Sequence, residues 1–114
     1  MKQRLKDSFA TLLVYAIRAD DVISEKERVL FCELMEEHFD VEYAQSLKFL
    51  SETTPTKEDI DKHIEIINRF LKDNPMQKMR ILAYLNHIIY TDGIELNEYK
   101  VFEKLKNKLF PDTN

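Results

Sequence analysis

Apolar residues recur three and four positions apart along most of the chain. That spacing places them on one side of an α-helix and predicts six helices. From about Lys2 to Arg18, Leu5, Phe9, Leu12, Leu13, Ala16 and Ile17 form a broad stripe, widened by Val14 and Tyr15. Ser24-Glu25-Lys26-Glu27 has capping-box spacing and opens a second helix to about His38, with Leu30, Phe31, Leu34, Met35 and His38 inward. Asp40 is the expected N-cap of a third helix, about Val41 to Ser51, with Ala44, Leu47 and Leu50 inward. Pro55 marks a linker, and Thr54 or Thr56 caps a fourth helix, about Lys57 to Lys72. Its stripe is Ile60, Ile64, Ile67 and Leu71. Asn74 and Pro75 suit the N-cap and first position of a fifth helix, about Pro75 to Tyr90. That helix is apolar nearly all round, which predicts a central position. A sixth, about Asn97 to Phe110, carries Val101, Phe102, Leu105 and Leu109 on one side, with Lys100, Lys104, Lys106 and Lys108 mostly opposite.

Two acidic stretches interrupt this pattern at corresponding places. The first runs Ala19-Asp20-Asp21-Val22-Ile23-Ser24-Glu25-Lys26-Glu27, and the second Thr91-Asp92-Gly93-Ile94-Glu95-Leu96-Asn97-Glu98. At an offset of 71, Glu27 meets Glu98, Leu30 meets Val101, Phe31 meets Phe102, Leu34 meets Leu105 and Phe39 meets Phe110. Upstream the offset is 72, which pairs Asp20 with Asp92 and Leu13 with Leu85. The expected fold is therefore all-α. It is a compact bundle of about six helices in one domain over residues 1–114, with two pseudo-repeated helix–acidic loop–helix units, helices 1–2 and 5–6.

Composition fits that picture. A chain of 114 residues is one domain in size, and one glycine with three prolines leaves little turn chemistry beyond short helix connections. Seventeen basic against twenty-one acidic residues give a net charge of −4, which argues against a general nucleic-acid binder. Cys32 is the sole cysteine, so no internal disulfide forms, and a reducing cytoplasm is expected. The apolar stretch from Phe9 to Ile17 is too short to cross a bilayer and ends in Arg18-Ala19-Asp20-Asp21 rather than a cleavage site. Membrane association is expected only peripherally or through a partner.

At its two acidic loops the chain resembles the TerB-like family. The family is named for tellurite-resistance proteins and includes the N-terminal domain of the J-domain co-chaperone DjlA. Its hallmark is an Ala-Asp-Gly opening after an apolar helix, then a hydrophobic residue, then a glutamate starting the next helix. Asp21 stands where the first glycine is usual, and the second loop is one residue shorter than the first. A complete DjlA-like co-chaperone, with its J-domain and anchor, is not expected from this chain. The resemblance implies a helical domain whose acidic loops bind a metal ion or a protein partner in stress-response or membrane-linked complexes. It implies no catalytic activity.

Asp20, Asp21, Glu27, Asp92, Glu95 and Glu98 are the candidate metal ligands. Oxygen donors of this kind suit calcium or magnesium if the two loops converge. The same residues also suit helix capping, since Asp92 and Glu95 have capping-box spacing and acids are stabilised at helix N-termini. Both readings stay open at this level. Neither Glu-x-x-His nor His-x-x-x-His occurs around His38, His63 and His87, and one glycine cannot build a phosphate loop. Cys32 has no neighbour in sequence that would activate it.

The expectation is a non-enzymatic interaction or scaffold domain with an unidentified protein partner, and a divalent cation as its candidate cofactor. Two alternatives use other features. One is a metal-dependent enzyme or metal-handling protein with the same carboxylates as working ligands. The other is a DNA-associated regulator using the basic face of helix 6.

Overall fold

The computed structural model describes residues 3–20, 23–90 and 96–111, apart from the side chains of Asp20 and residues 96–98. Six α-helices follow one another: α1 (Gln3–Ile17), α2 (Glu25–Phe39), α3 (Tyr43–Glu52), α4 (Lys57–Phe70), α5 (Pro75–Ile89) and α6 (Leu96–Leu109). A 3₁₀ turn, Arg18–Asp20, extends α1. No strand occurs among the described residues. The Cα radius of gyration is 13.1 Å, close to the ~13 Å expected of a compact chain this long.

Local chemistry sets the starts of α2, α4 and α5. Ser24 Oγ accepts from the Glu27 amide at 3.0 Å, and Glu27 Oε1 accepts from the Ser24 amide at 3.0 Å. Thr56 and Asp59 repeat this reciprocal box at the start of α4. Hydrogen bonding from Thr56, by its backbone first and then by its side chain, holds the Asp59 carboxyl below the usual carboxylate range. Asn74 Oδ1 accepts from the Gln77 amide at 3.2 Å, with Pro75 in the first turn of α5. A proline costs nothing there because its missing N–H would have had no helical partner.

Asp40 corrects one expectation. It does not start α3. It ends α2 in the left-handed region, at φ 57° and ψ 40°, and its amide turns back to the Met35 carbonyl. Val41 N–H reaches the same carbonyl at 3.1 Å. Aspartate tolerates this conformation better than most residues. The N-cap of α3 is Glu42, whose side chain makes no capping bond. The register of α3 changes accordingly: Ser46 and Leu50 are buried, whereas Ala44 faces solvent.

The central helix is α1, not α5. Ten of the fifteen α1 residues are buried, against five of fifteen in α5. Small and hydroxylated residues explain the difference. Ser8, Ala10 and Thr11 let neighbours approach α1 from several sides, and the hydroxyls of Ser8 and Thr11 have partners. Thr11 Oγ1 donates to the Asp7 carbonyl at 2.7 Å, and Ser8 Oγ bonds His63. In α5, Met76 is 70% and Met79 55% exposed, so its continuous apolar run overstates its burial.

α1 packs on α2, α4, α5 and α6, while α2 also packs on α3 and α5. Aromatic rings stitch these helices together. Phe9 lies 4.6 Å from Phe39 and 5.7 Å from Tyr84, centroid to centroid. Phe31 stacks on Phe49 at 6.4 Å. The remaining core is aliphatic, with Leu12, Leu13, Ile17, Ile67, Leu85, Ile88, Leu105 and Leu109 almost fully buried. No described helix is long and apolar enough to cross a membrane.

Candidate functional site

Glu27 is the one candidate ligand whose side chain is described, and its Oε1 is held by the Ser24 amide in the capping box. The side chain is only 3% exposed. Asp20 closes the 3₁₀ turn, but its side chain and that of Glu98 lie outside the described residues, as do Asp21, Asp92 and Glu95 altogether. The convergence of the six carboxylates therefore concerns positions outside the described residues. Among the described residues, no group of three or more His, Cys, Asp or Glu side chains has the geometry to hold a metal ion.

The entry to the first loop is well anchored. The turn Arg18–Asp20 packs against α6, the helix that follows the second loop. Arg18 Nη2 donates to the Leu50 carbonyl at 2.7 Å and lies 3.5 Å from that of Ser51. These are among the last carbonyls of α3, which lack helical partners and favour a cation. Arg18 Nε is buried and has no hydrogen-bond partner among the described residues. Beside it opens a cleft of about 430 Å³ lined by Tyr15, Arg18, Ala19, Thr54, Pro55, Lys100 and Val101.

His63 and Ser8, 55 positions apart, share a hydrogen bond of 2.9 Å between Nδ1 and Oγ, which joins α4 to α1. Burial lowers the pKa of His63 below the usual histidine value, against the opposing influence of Asp59 and Asp7. The trio of Ser8, His63 and Asp59 is not a hydrolytic triad. Ser8 is fully buried, so its hydroxyl cannot reach a substrate, and Asp59 Oδ2 is occupied by the Thr56 amide. His38 stays at the surface, its ring 4.9 Å from Tyr84. His87 is exposed and lines a shallow groove with Glu25, Lys26, Val29, Leu30 and Glu33.

Cys32 is fully buried, deeper than the helix edge where sequence alone places it. Burial pushes its thiol up to about 11, and Arg28 only partly offsets this. A protonated, inaccessible thiol is a packing residue rather than a nucleophile.

Among the lysines of α6, Lys108 is engaged within the fold. Lys108 Nζ pairs with Asp61 of α4, and that bond lowers the Asp61 pKa. The Lys108 carbonyl accepts from Asn68 Nδ2 at 3.2 Å, and Lys78 Nζ donates to the Leu109 carbonyl at 2.9 Å. The C-terminal end of α6 is thereby tied to α4 and α5. Lys100, Lys104 and Lys106 are exposed.

Three features escape sequence reasoning: the Ser8–His63 bond, the reach of Arg18 to α3, and Ser46. Ser46 is 1% exposed, and its Oγ has no hydrogen-bond partner among the described residues. An unsatisfied buried hydroxyl costs about 1–3 kcal/mol. A polar residue on the inner side of α3 is the only trace it leaves in the sequence.

Comparison with known proteins finds no matching family model, no matching curated protein and no matching solved structure.

Proposed function

We propose that this protein is a non-enzymatic TerB-like helical interaction module, whose two acidic loops together form the end that meets a protein partner. The observation that carries this reading is the packing of the Arg18–Asp20 turn on α6. It places the start of the first loop beside the helix that the second loop enters. The order of helices supports the same reading, with an apolar helix before each loop and an amphipathic one after it. In this proposal α1–α2 and α5–α6 are two copies of one unit.

Asp20, Asp21, Asp92, Glu95 and Glu98 then supply oxygen ligands for calcium or magnesium, and Glu27 serves chiefly as the cap of α2. The module works in the cytoplasm, within stress-response or membrane-associated complexes, and reaches a membrane through its partner.

The experiment is a pull-down with the tagged full chain, in calcium, in magnesium and in chelator, repeated on Asp20→Asn/Asp92→Asn. A partner retained by the parent and lost by the variant supports the reading. A partner retained equally by both places the interface elsewhere on the helical surface.

A further inference from the structure

The end of α1, the linker between α3 and α4, and the first half of α6 border the cleft of about 430 Å³ beside Arg18. Each described residue that lines it keeps accessible surface. Thr54 and Lys100 are exposed, and Tyr15, Arg18, Ala19, Pro55 and Val101 are half-buried. Its size falls within the ~300–1,000 Å³ range of small-molecule sites.

The charge of the cleft is one-sided. Arg18 and Lys100 are both cations, and among the described residues no carboxylate lines the cleft or pairs with either of them. A half-buried cation without an anionic partner is costly, and an anion in the cleft relieves that cost. Arg18 is held in place from behind, because its Nη2 donates to the Leu50 carbonyl and approaches that of Ser51. The buried Nε cannot reach a ligand. Nη1 makes no hydrogen bond among the described residues and, unlike Nε, is not sealed from solvent. It is the edge of the guanidinium left for a ligand. The exposed Thr54 brings a hydroxyl that can donate as well.

We infer that this cleft binds a small organic acid, a single carboxylate on a compact apolar body. The carboxylate meets Arg18 Nη1 and the Lys100 ammonium, and the body rests on Tyr15, Ala19, Pro55 and Val101. One negative charge suits the site better than two, because the charge of Arg18 is partly spent on the α3 carbonyls. A bare inorganic anion would leave the apolar walls in water and forfeit their contribution. A ligand of this size binds weakly, with Kd on the order of millimolar. The site needs no cation in the acidic loops, so it stands apart from the interaction-module reading.

The test is a titration of the isotope-labelled full chain at pH 7 in chelator, followed by backbone amide shifts. The probes are 4-methylpentanoate, its neutral amide of the same shape, and inorganic phosphate. The acid is expected to give saturable shifts at Arg18, Ala19, Thr54 and Val101, and to bind about tenfold more tightly than the amide, since bonds to a charged group are the stronger ones. Lys100→Gln should weaken the acid about threefold, as for an exposed ion pair. Lys106→Gln removes the same charge from an exposed position outside the cleft and should leave the affinity unchanged. Absence of saturable shifts at these amides would overturn the proposal. So would equal affinity for the acid and the amide, or phosphate binding as tightly as the acid, comparisons made on the parent protein alone.

Discussion

Glu27 offers the sharpest test of the capping role of the first acidic stretch. The perturbations are Ser24→Ala, Glu27→Ala, the pair together, and Glu27→Gln. Ser24 Oγ and Glu27 Oε1 each accept one backbone N–H, both at 3.0 Å. Loss of an N-cap hydroxyl costs about 0.5–2 kcal/mol, and loss of the return bond from Glu27 a similar amount. For 114 residues, an unfolding entropy near 2.1 cal/mol/K per residue amounts to ~240 cal/mol/K. Each kcal/mol therefore lowers Tm by about 4 °C.

The two bonds depend on each other, since each holds the turn in which the other forms. The double variant should accordingly lose about 0.5–1 kcal/mol less than the sum of the single ones. Glu27→Gln keeps an acceptor at the right place and should stay within about 1 kcal/mol of the parent. The assay is urea unfolding in chelator, followed by far-UV circular dichroism. Strict additivity of Ser24→Ala and Glu27→Ala, or a Glu27→Gln loss as large as that of Glu27→Ala, would refute the capping account.

Other consequences can be checked with the same material. His63 has a folded pKa below its ordinary value, so the unfolded chain binds more protons in that window. Stability should be fully present above about pH 6.5, and fall as pH drops from there through the folded pKa. Denaturation midpoints should show a shallower pH dependence in His63→Gln, and an unchanged profile would refute the assignment. With its thiol near 11, Cys32 is only about one part in a thousand thiolate at pH 8. It should resist a thiol reagent until the chain unfolds, and rapid labelling of the native protein would contradict its burial. Leu13→Ala removes a fully buried side chain and should cost about 2–5 kcal/mol, whereas Met76→Ala, at 70% exposure, should stay within about 0.5 kcal/mol. Comparable losses for the two would contradict the placement of α1 at the centre.

Much of the fold is legible in the chain because helix signals are local. Ser24 with Glu27, Thr56, and Asn74 with Pro75 act within one turn, and each caps the helix that the residues announce. The Ile60, Ile64, Ile67 and Leu71 stripe is buried throughout for the same reason. Asp40 misleads because a short acidic side chain suits both the start of a helix and a left-handed end, and only the Met35 carbonyl decides between them. The rank of α1 over α5 is equally non-local. It depends on how many neighbours surround a helix, and Ser8 and Thr11 look like polar interruptions until their partners are known.

The candidate site is legible as a cluster of acids at two corresponding places. The packing of the Arg18–Asp20 turn on α6 is not legible, because it arises from tertiary contacts that no spacing records. Arg18 illustrates the point. Nothing in Ile17-Arg18-Ala19 shows that its guanidinium reaches Leu50, 32 positions away.

The account turns most directly on cation binding. Calorimetric titration of metal-stripped protein with calcium and magnesium, beside Asp20→Asn/Asp92→Asn and Glu27→Gln, separates the roles of these carboxylates. Saturable binding to the parent, lost in the double variant and largely kept in Glu27→Gln, is the predicted result. No saturable heat for either metal, or binding that survives intact in the double variant, would contradict the claim that the two loops form one cation-holding end.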